Sequence, residues 1–131
     1  AGCTPVVNPQ SSFALCSLGT LTVNTRNEST HAATAVGSVL PAVIISHGKN
    51  GFGAFTVNGG ARVAFPPAPA GTDEQINATN GSTTFISRTQ TPRTAACNDP
   101  GGPAFCEFDD VVTMITSNLL VARMVAAGRL P

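Results

Sequence analysis

AVIISHGKNGFG, residues 42–53, runs from a continuous apolar stretch into a bend that gathers a histidine, a lysine and three glycines within eight residues. Its reading decides whether the chain is organised around a reactive loop or around a sheet. A phosphate-cradling loop needs G-x-x-x-x-G-K-[ST], so that backbone N–H groups wrap the phosphates and the lysine reaches them; here Lys49 is followed by Asn50. A serine nucleophile at a strand-to-helix elbow needs G-x-S-x-G, whereas Ser46 stands in Ile45-Ser46-His47-Gly48. On a strand, the adjacent Ser46 and His47 point to opposite faces and cannot pair. The segment therefore reads as a structural turn made by His47, Gly48, Asn50 and Gly51, with His47 hydrogen-bonded beside it and the glycines supplying permissive backbone. The β-branched run at residues 42–46 then reads as a central strand buried on both faces.

Working outward, strand signals dominate. Residues 20–25 (TLTVNT) alternate apolar and hydroxyl side chains, as a half-buried strand does. Residues 55–57 and 61–65 flank Asn58-Gly59-Gly60, which predicts a hairpin, and Pro66, Pro67 and Pro69 then remove ladder donors. Further strands are expected at residues 83–89 and 108–116. Ser117 is placed to cap a helix over residues 118–127. That helix carries Leu119, Leu120, Val121, Met124 and Val125, too apolar all round for a solvent-facing surface, so it is expected to pack on a sheet or a partner. Gly128 ends it as a C-terminal cap.

Composition sets the class. Seven Lys and Arg balance seven Asp and Glu in 131 residues, so nothing draws the chain electrostatically to nucleic acid or to an anionic membrane. Charged residues make up 11%, against roughly 25% in an average soluble domain. A surface solvated through Ser, Thr and Asn is common in extracellular β-rich proteins. The four cysteines fall into two local pairs with no C-x2-C knuckle, which points to two disulfides, Cys3–Cys16 and Cys97–Cys106, in an oxidising compartment. No apolar run reaches the ~18 residues of a membrane span, and the first residues lack a signal pattern, so any export signal is expected to have been removed already. The polar loop Asp73-Glu74-Gln75 with Asn77, Asn80 and Gly81 could, with Asp109 or Asp110, offer a hard cation several oxygen ligands. Their spacing misses the EF-hand pattern, and the preferred reading is a turn in which these side chains bond their own backbone, with no metal and no cofactor.

Three blocks carry a resemblance: SHGKNGFG after an apolar strand, DEQINATNGSTTFISR at residues 73–88, and EFDDVVTMITSNLLVARMVAAGRLP at residues 107–131. Together they resemble the C-terminal globular part of bacterial prepilin-type proteins: type IV pilins, minor pilins and type II secretion pseudopilins. The resemblance spans about residues 43–131, and residues 1–40 match loosely. The family pattern often has an aromatic residue where Met114 stands, and Ser-Pro-Asn where Thr116-Ser117-Asn118 stands.

The resemblance implies one α+β domain over residues 1–131, with an antiparallel sheet of four or more strands, disulfide-stapled loops and a short C-terminal helix packing through Leu119, Leu120, Met124 and Val125. It implies a structural, non-enzymatic subunit of a bacterial extracellular or cell-surface filament, either a pilus or a pseudopilus. Its partners would be other pilin subunits, including a long apolar pilin helix that is either cut away or supplied by a separate chain. The alternatives are a secreted binding or adhesin module using the loop at residues 67–80, and a small secreted hydrolase using His47 with an acid.

Overall fold

A computed structural model describes residues 6–7, 17–67 and 71–129. The chain is α+β, with seven short strands and two helices among the described residues. Strands β1 (Val6–Val7) and β2 (Ser17–Leu18) form a two-residue parallel pair. Strand β3 (Leu21–Arg26) lies between the antiparallel β4 (Ala33–Leu40) and the parallel β6 (Thr84–Ile86). Strand β5 (Ala42–Ser46) pairs antiparallel with β7 (Val111–Ile115).

The expected single antiparallel sheet is therefore corrected to three small sheets, one of them mixed. The cause lies at the β4–β5 junction. Only Pro41, which has no N–H to give a ladder, separates the two strands, and Val39 just before it has a φ of 50°. The chain turns out of one sheet there and enters the next. Gly19 packs against this corner so closely that a Cβ would lie 1.8 Å from the Leu40 carbonyl.

The expectation that residues 42–46 are buried on both faces is also corrected. Strand β5 has a single partner, and Ile44 is 57% exposed. The hairpin at residues 55–65 is reduced to one bridge, Phe55 to Arg62, turning at Gly59 with a φ of 68°.

Helix α1 (Thr72–Ala78) stands where a turn was expected. Its entry, Gly71, is left-handed and offers no side-chain cap; instead Asp99 Oδ2 accepts the Asp73 N–H at 3.1 Å from a loop far along the chain. Helix α2 (Ser117–Ala126) is capped one residue earlier than expected, by Thr116, whose side chain accepts from the Leu119 N–H. Its C-terminus closes on Gly128 with the paired bonds Arg129 N–H to Met124 C=O and Gly128 N–H to Val125 C=O, the arrangement a left-handed glycine permits. No residue of α2 is buried: Leu120 and Met124, one turn apart, are half-buried, while Leu119 and Val125 face outward.

The disulfide Cys97–Cys106 is present, and the expected Cys3–Cys16 bridge lies outside the described residues. Val23, Leu40, Ala78, Ile86, Cys106 and Phe108 form the buried apolar core. Equally buried are His31, Asp73, Glu74, Asn77, Asp99 and Asp110, so the centre of the molecule is as polar as it is apolar. Buried polar groups need partners, and the way this set is partnered locates the candidate site.

Candidate functional site: a buried carboxylate cluster beside helix α1

Asp73 and Glu74 are neighbours on α1, and successive helical residues diverge by about 100°, so the two enter different surroundings. Asp73 meets cations. Arg26 Nε donates to both its oxygens, at 2.7 and 2.9 Å, and Arg88 Nε donates to Oδ2 at 2.8 Å. Arg88 Nη2 continues to Asp99 Oδ1 at 3.0 Å, and its guanidinium lies over the rings of Phe105 and Phe108. Two arginines thus neutralise two buried aspartates, and the same Asp99 oxygen accepts the Cys106 N–H at 2.9 Å. His31, stacked on Phe105 with ring centres 4.0 Å apart, closes the other side with Nδ1 near the Asn98 and Asp99 carbonyls.

Glu74 meets acids. It is fully buried, and ligand atoms of Glu74, Asp109 and Asp110 all lie within 4.8 Å of one another. The turn at residues 47–51 supplies amides rather than positive charge. Asn50 Nδ2 donates to both Glu74 oxygens at 3.0 and 3.1 Å, and the Asn50 N–H donates to Asp109 Oδ2 at 2.8 Å. The Asp109 N–H donates to Glu74 Oε1 at 2.9 Å. Asn77, on α1, donates to Asp110 Oδ2 and to the Ile86 carbonyl, both at 2.9 Å, while its own oxygen accepts the Ile86 N–H at 2.7 Å. Asn77 therefore ties α1 to β6 and to the entry of β7.

The bend singled out in the sequence is the third wall of this cluster. The Gly51 N–H donates to the His47 carbonyl, and Gly48, at a φ of 32°, leaves room for the Asp109 carboxylate. A Cβ at Gly48 would lie 2.1 Å from Asp109 Oδ1. His47 brings Nδ1 within 3.4 Å of Asp110 Oδ1, without the alignment of a hydrogen bond. Among the described residues no serine, threonine or cysteine side chain bonds to His47, so this His–Asp contact has no nucleophile attached to it.

Electrostatics follow from this enclosure. Burial pushes Glu74 up to about 7, against the opposing hydrogen bonds from the Asp109 backbone and Asn50, and with further help from the Asp110 and Asp109 charges. Burial also raises Asp110, partly offset by Asn77 and His47. No lysine or arginine among the described residues forms an ion pair with any of the three carboxylates. A cavity of about 390 Å³ is lined by His47 and Asn77, whose side chains contact Asp110, together with Asn80 and Ser82, and by none of the three carboxylates.

The sequence groups Asp73, Glu74, Gln75, Asn77 and Asn80 with Asp109 or Asp110. The structure brings Glu74, Asn77, Asp109 and Asp110 together, adds His47 and Asn50, sends Asp73 to the arginines and leaves Gln75 and Asn80 exposed. Arg26, His31, Arg88 and Asp99 went unread because isolated charged residues carry no spacing signal. Compared with protein-family models, curated proteins and solved structures, the chain matches none of them.

Proposed function

We propose that the chain is a structural, non-enzymatic subunit of a bacterial extracellular filament, of the type IV pilus or secretion pseudopilus kind, that lays an apolar sheet face against the helix of a pilin partner, fused or separate. The observation that carries this reading is the uncovered face of the β5–β7 pair. Register places Ile44 opposite Thr113 and Ser46 opposite Val111, so Ile44 and Val111 share one face, 57% and 52% exposed. Val36 and Val39 on the edge strand β4 are exposed as well. Residues 29–48 contain no Asp, Glu, Lys or Arg, so none of the charges that usually guard an edge strand stands there. Covering Ile44 and Val111, each about half exposed, would contribute roughly 1.5–3 kcal/mol before ordering costs, at about 1.5–3 kcal/mol for each complete burial.

The test measures dye binding to apolar surface, oligomeric state and melting of the 131-residue chain, with and without an apolar pilin-helix peptide. The expected result is dye binding that the peptide suppresses, with a rise in melting temperature that the double substitution Ile44→Asp and Val111→Asp removes. A monodisperse monomer without dye binding and without response to the helix would sink the filament reading. A secreted binding module, for which the cavity beside His47 and Asn77 speaks, would then be the better account.

A further inference from the structure

The two buried acidic sites, one built on Asp73 and the other on Glu74, differ in a way that hydrogen bonds alone do not balance. At the first, Arg26 and Arg88 offset Asp73 and Asp99. At the second, three carboxylates converge and neutral amides donate to them, with His47 Nδ1 3.4 Å from Asp110 Oδ1 and no arginine or lysine paired to any of the three among the described residues. A buried anion without a counter-charge is costly, and bringing two more beside it compounds the cost.

A second observation is independent of that proximity. The Asp110 side chain is completely buried, with 0% exposure, and its Oδ1 has no hydrogen-bond partner. Asp109 Oδ1 is likewise buried without a hydrogen bond, and His47 Nδ1, 3.4 Å from Asp110 Oδ1, is not aligned to donate to it. Three of the four such side-chain atoms among the described residues therefore belong to one site. Buried polar atoms are normally satisfied, and two carboxylate oxygens without a hydrogen bond at one site are open to a bound ion or water.

We propose that Glu74, Asp109 and Asp110 hold a hard divalent cation of calcium's size. The donors are carboxylate oxygens with no thiolate among them, which selects a hard ion. Opposite ligands of calcium stand about 4.6–5.2 Å apart, from metal–oxygen distances of about 2.3–2.6 Å, and the oxygens here lie within 4.8 Å of one another. The Asn50 and Asn77 amides and the Asp109 N–H already fix the three carboxylates, leaving Asp109 Oδ1 and Asp110 Oδ1 open. Water completes the shell. The ion's role is structural: it joins α1, the turn at residues 47–51 and the start of β7. This site does not depend on the filament reading.

The experiment strips the full chain with a chelator and titrates it with calcium, magnesium or zinc chloride, following heat by calorimetry and melting by circular dichroism. With no Trp or Tyr in the chain, intrinsic fluorescence is of no use. The expected result is a saturable one-to-one response to calcium and a higher melting temperature. Asp110→Asn should abolish the response, and Asp109→Asn should weaken the affinity by about tenfold or more. Glu28→Gln, on the exposed turn at residues 27–30, should leave it intact. Should Asp110→Asn fail to fold, Asp109→Asn carries the test, since its amide oxygen can still accept the Asn50 N–H. The proposal is overturned by a folded chain with no saturable calcium or magnesium response, by binding that survives both substitutions, or by zinc binding alone that His47→Gln abolishes.

Discussion

Replacing Glu74 by Gln gives the sharpest test of the buried cluster, because the sign of its effect depends on pH. Glu74 is held at about 7 in the folded chain against 4.5 for a free glutamate. Between those values the folded state binds more protons than the unfolded state, so stability falls as pH rises from about 4.5 to about 7 and is level above that. The difference of about 2.5 pH units corresponds to about 3 kcal/mol, the cost of carrying an ionised Glu74 above pH 7 when no cation is present. Glutamine cannot ionise. Its oxygen can still accept from the Asp109 N–H and from Asn50, and its NH2 can donate to one of the unpartnered oxygens of Asp109 or Asp110. In chelator, Glu74→Gln should therefore melt within a few degrees of the parent at pH 5 and higher than the parent at pH 8, by roughly 6–12 °C for a domain of this size. Thermal melts across pH 4.5–8.5 read the difference directly. With calcium present the order at pH 8 should invert, because the variant has lost a ligand. A variant that is equally or more destabilised at pH 8 than at pH 5 in chelator would refute the reasoning.

Three other outcomes follow from the same contacts. Cys97→Ser with Cys106→Ser should cost about 2–3 kcal/mol in chemical denaturation, the value for a loop of about ten residues, and should lower helical circular dichroism because Asp99 also caps α1. Arg88→Met should cost about 3–5 kcal/mol in the same assay, since it leaves Asp99 with no cation and Asp73 with only Arg26. Gly48→Ala should cost about 1–3 kcal/mol, combining the strain of a positive φ with displacement of the Asp109 carboxylate, whereas Gly51→Ala meets no neighbour and should cost only the backbone strain.

What could be read from the chain was what local periodicity and spacing encode. The alternation at residues 20–25 announces β3, the β-branched runs announce β5 and β7, and the apolar stretch after Thr116 announces α2. The close spacing of Cys97 and Cys106 announces their bridge. Burial was misjudged for β5 because an apolar run says nothing about how many layers cover it. Helix α1 was invisible because its cap, Asp99, arrives from 26 residues away. Strand β4 mixes Ala, Thr, Gly and Val without alternation, so neither period appears in it. The cluster was half legible: the acids could be grouped as oxygen donors, but only the helical rotation between Asp73 and Glu74 decides which of them faces arginines and which faces other acids.

The capping of α1 by Asp99 also makes the helix depend on a loop far along the chain. Seven residues are well short of the ~12–15 that an isolated helix needs to be even marginally stable in water, so α1 cannot act as an early nucleus. In the folded chain it is held by the loop at residues 97–106, which sets Asp99 over the Asp73 N–H, with Arg88 bound between them. Melting of the helix and opening of the loop at residues 97–106 are then expected as one cooperative event rather than two, so the helical signal should report on the loop's closure.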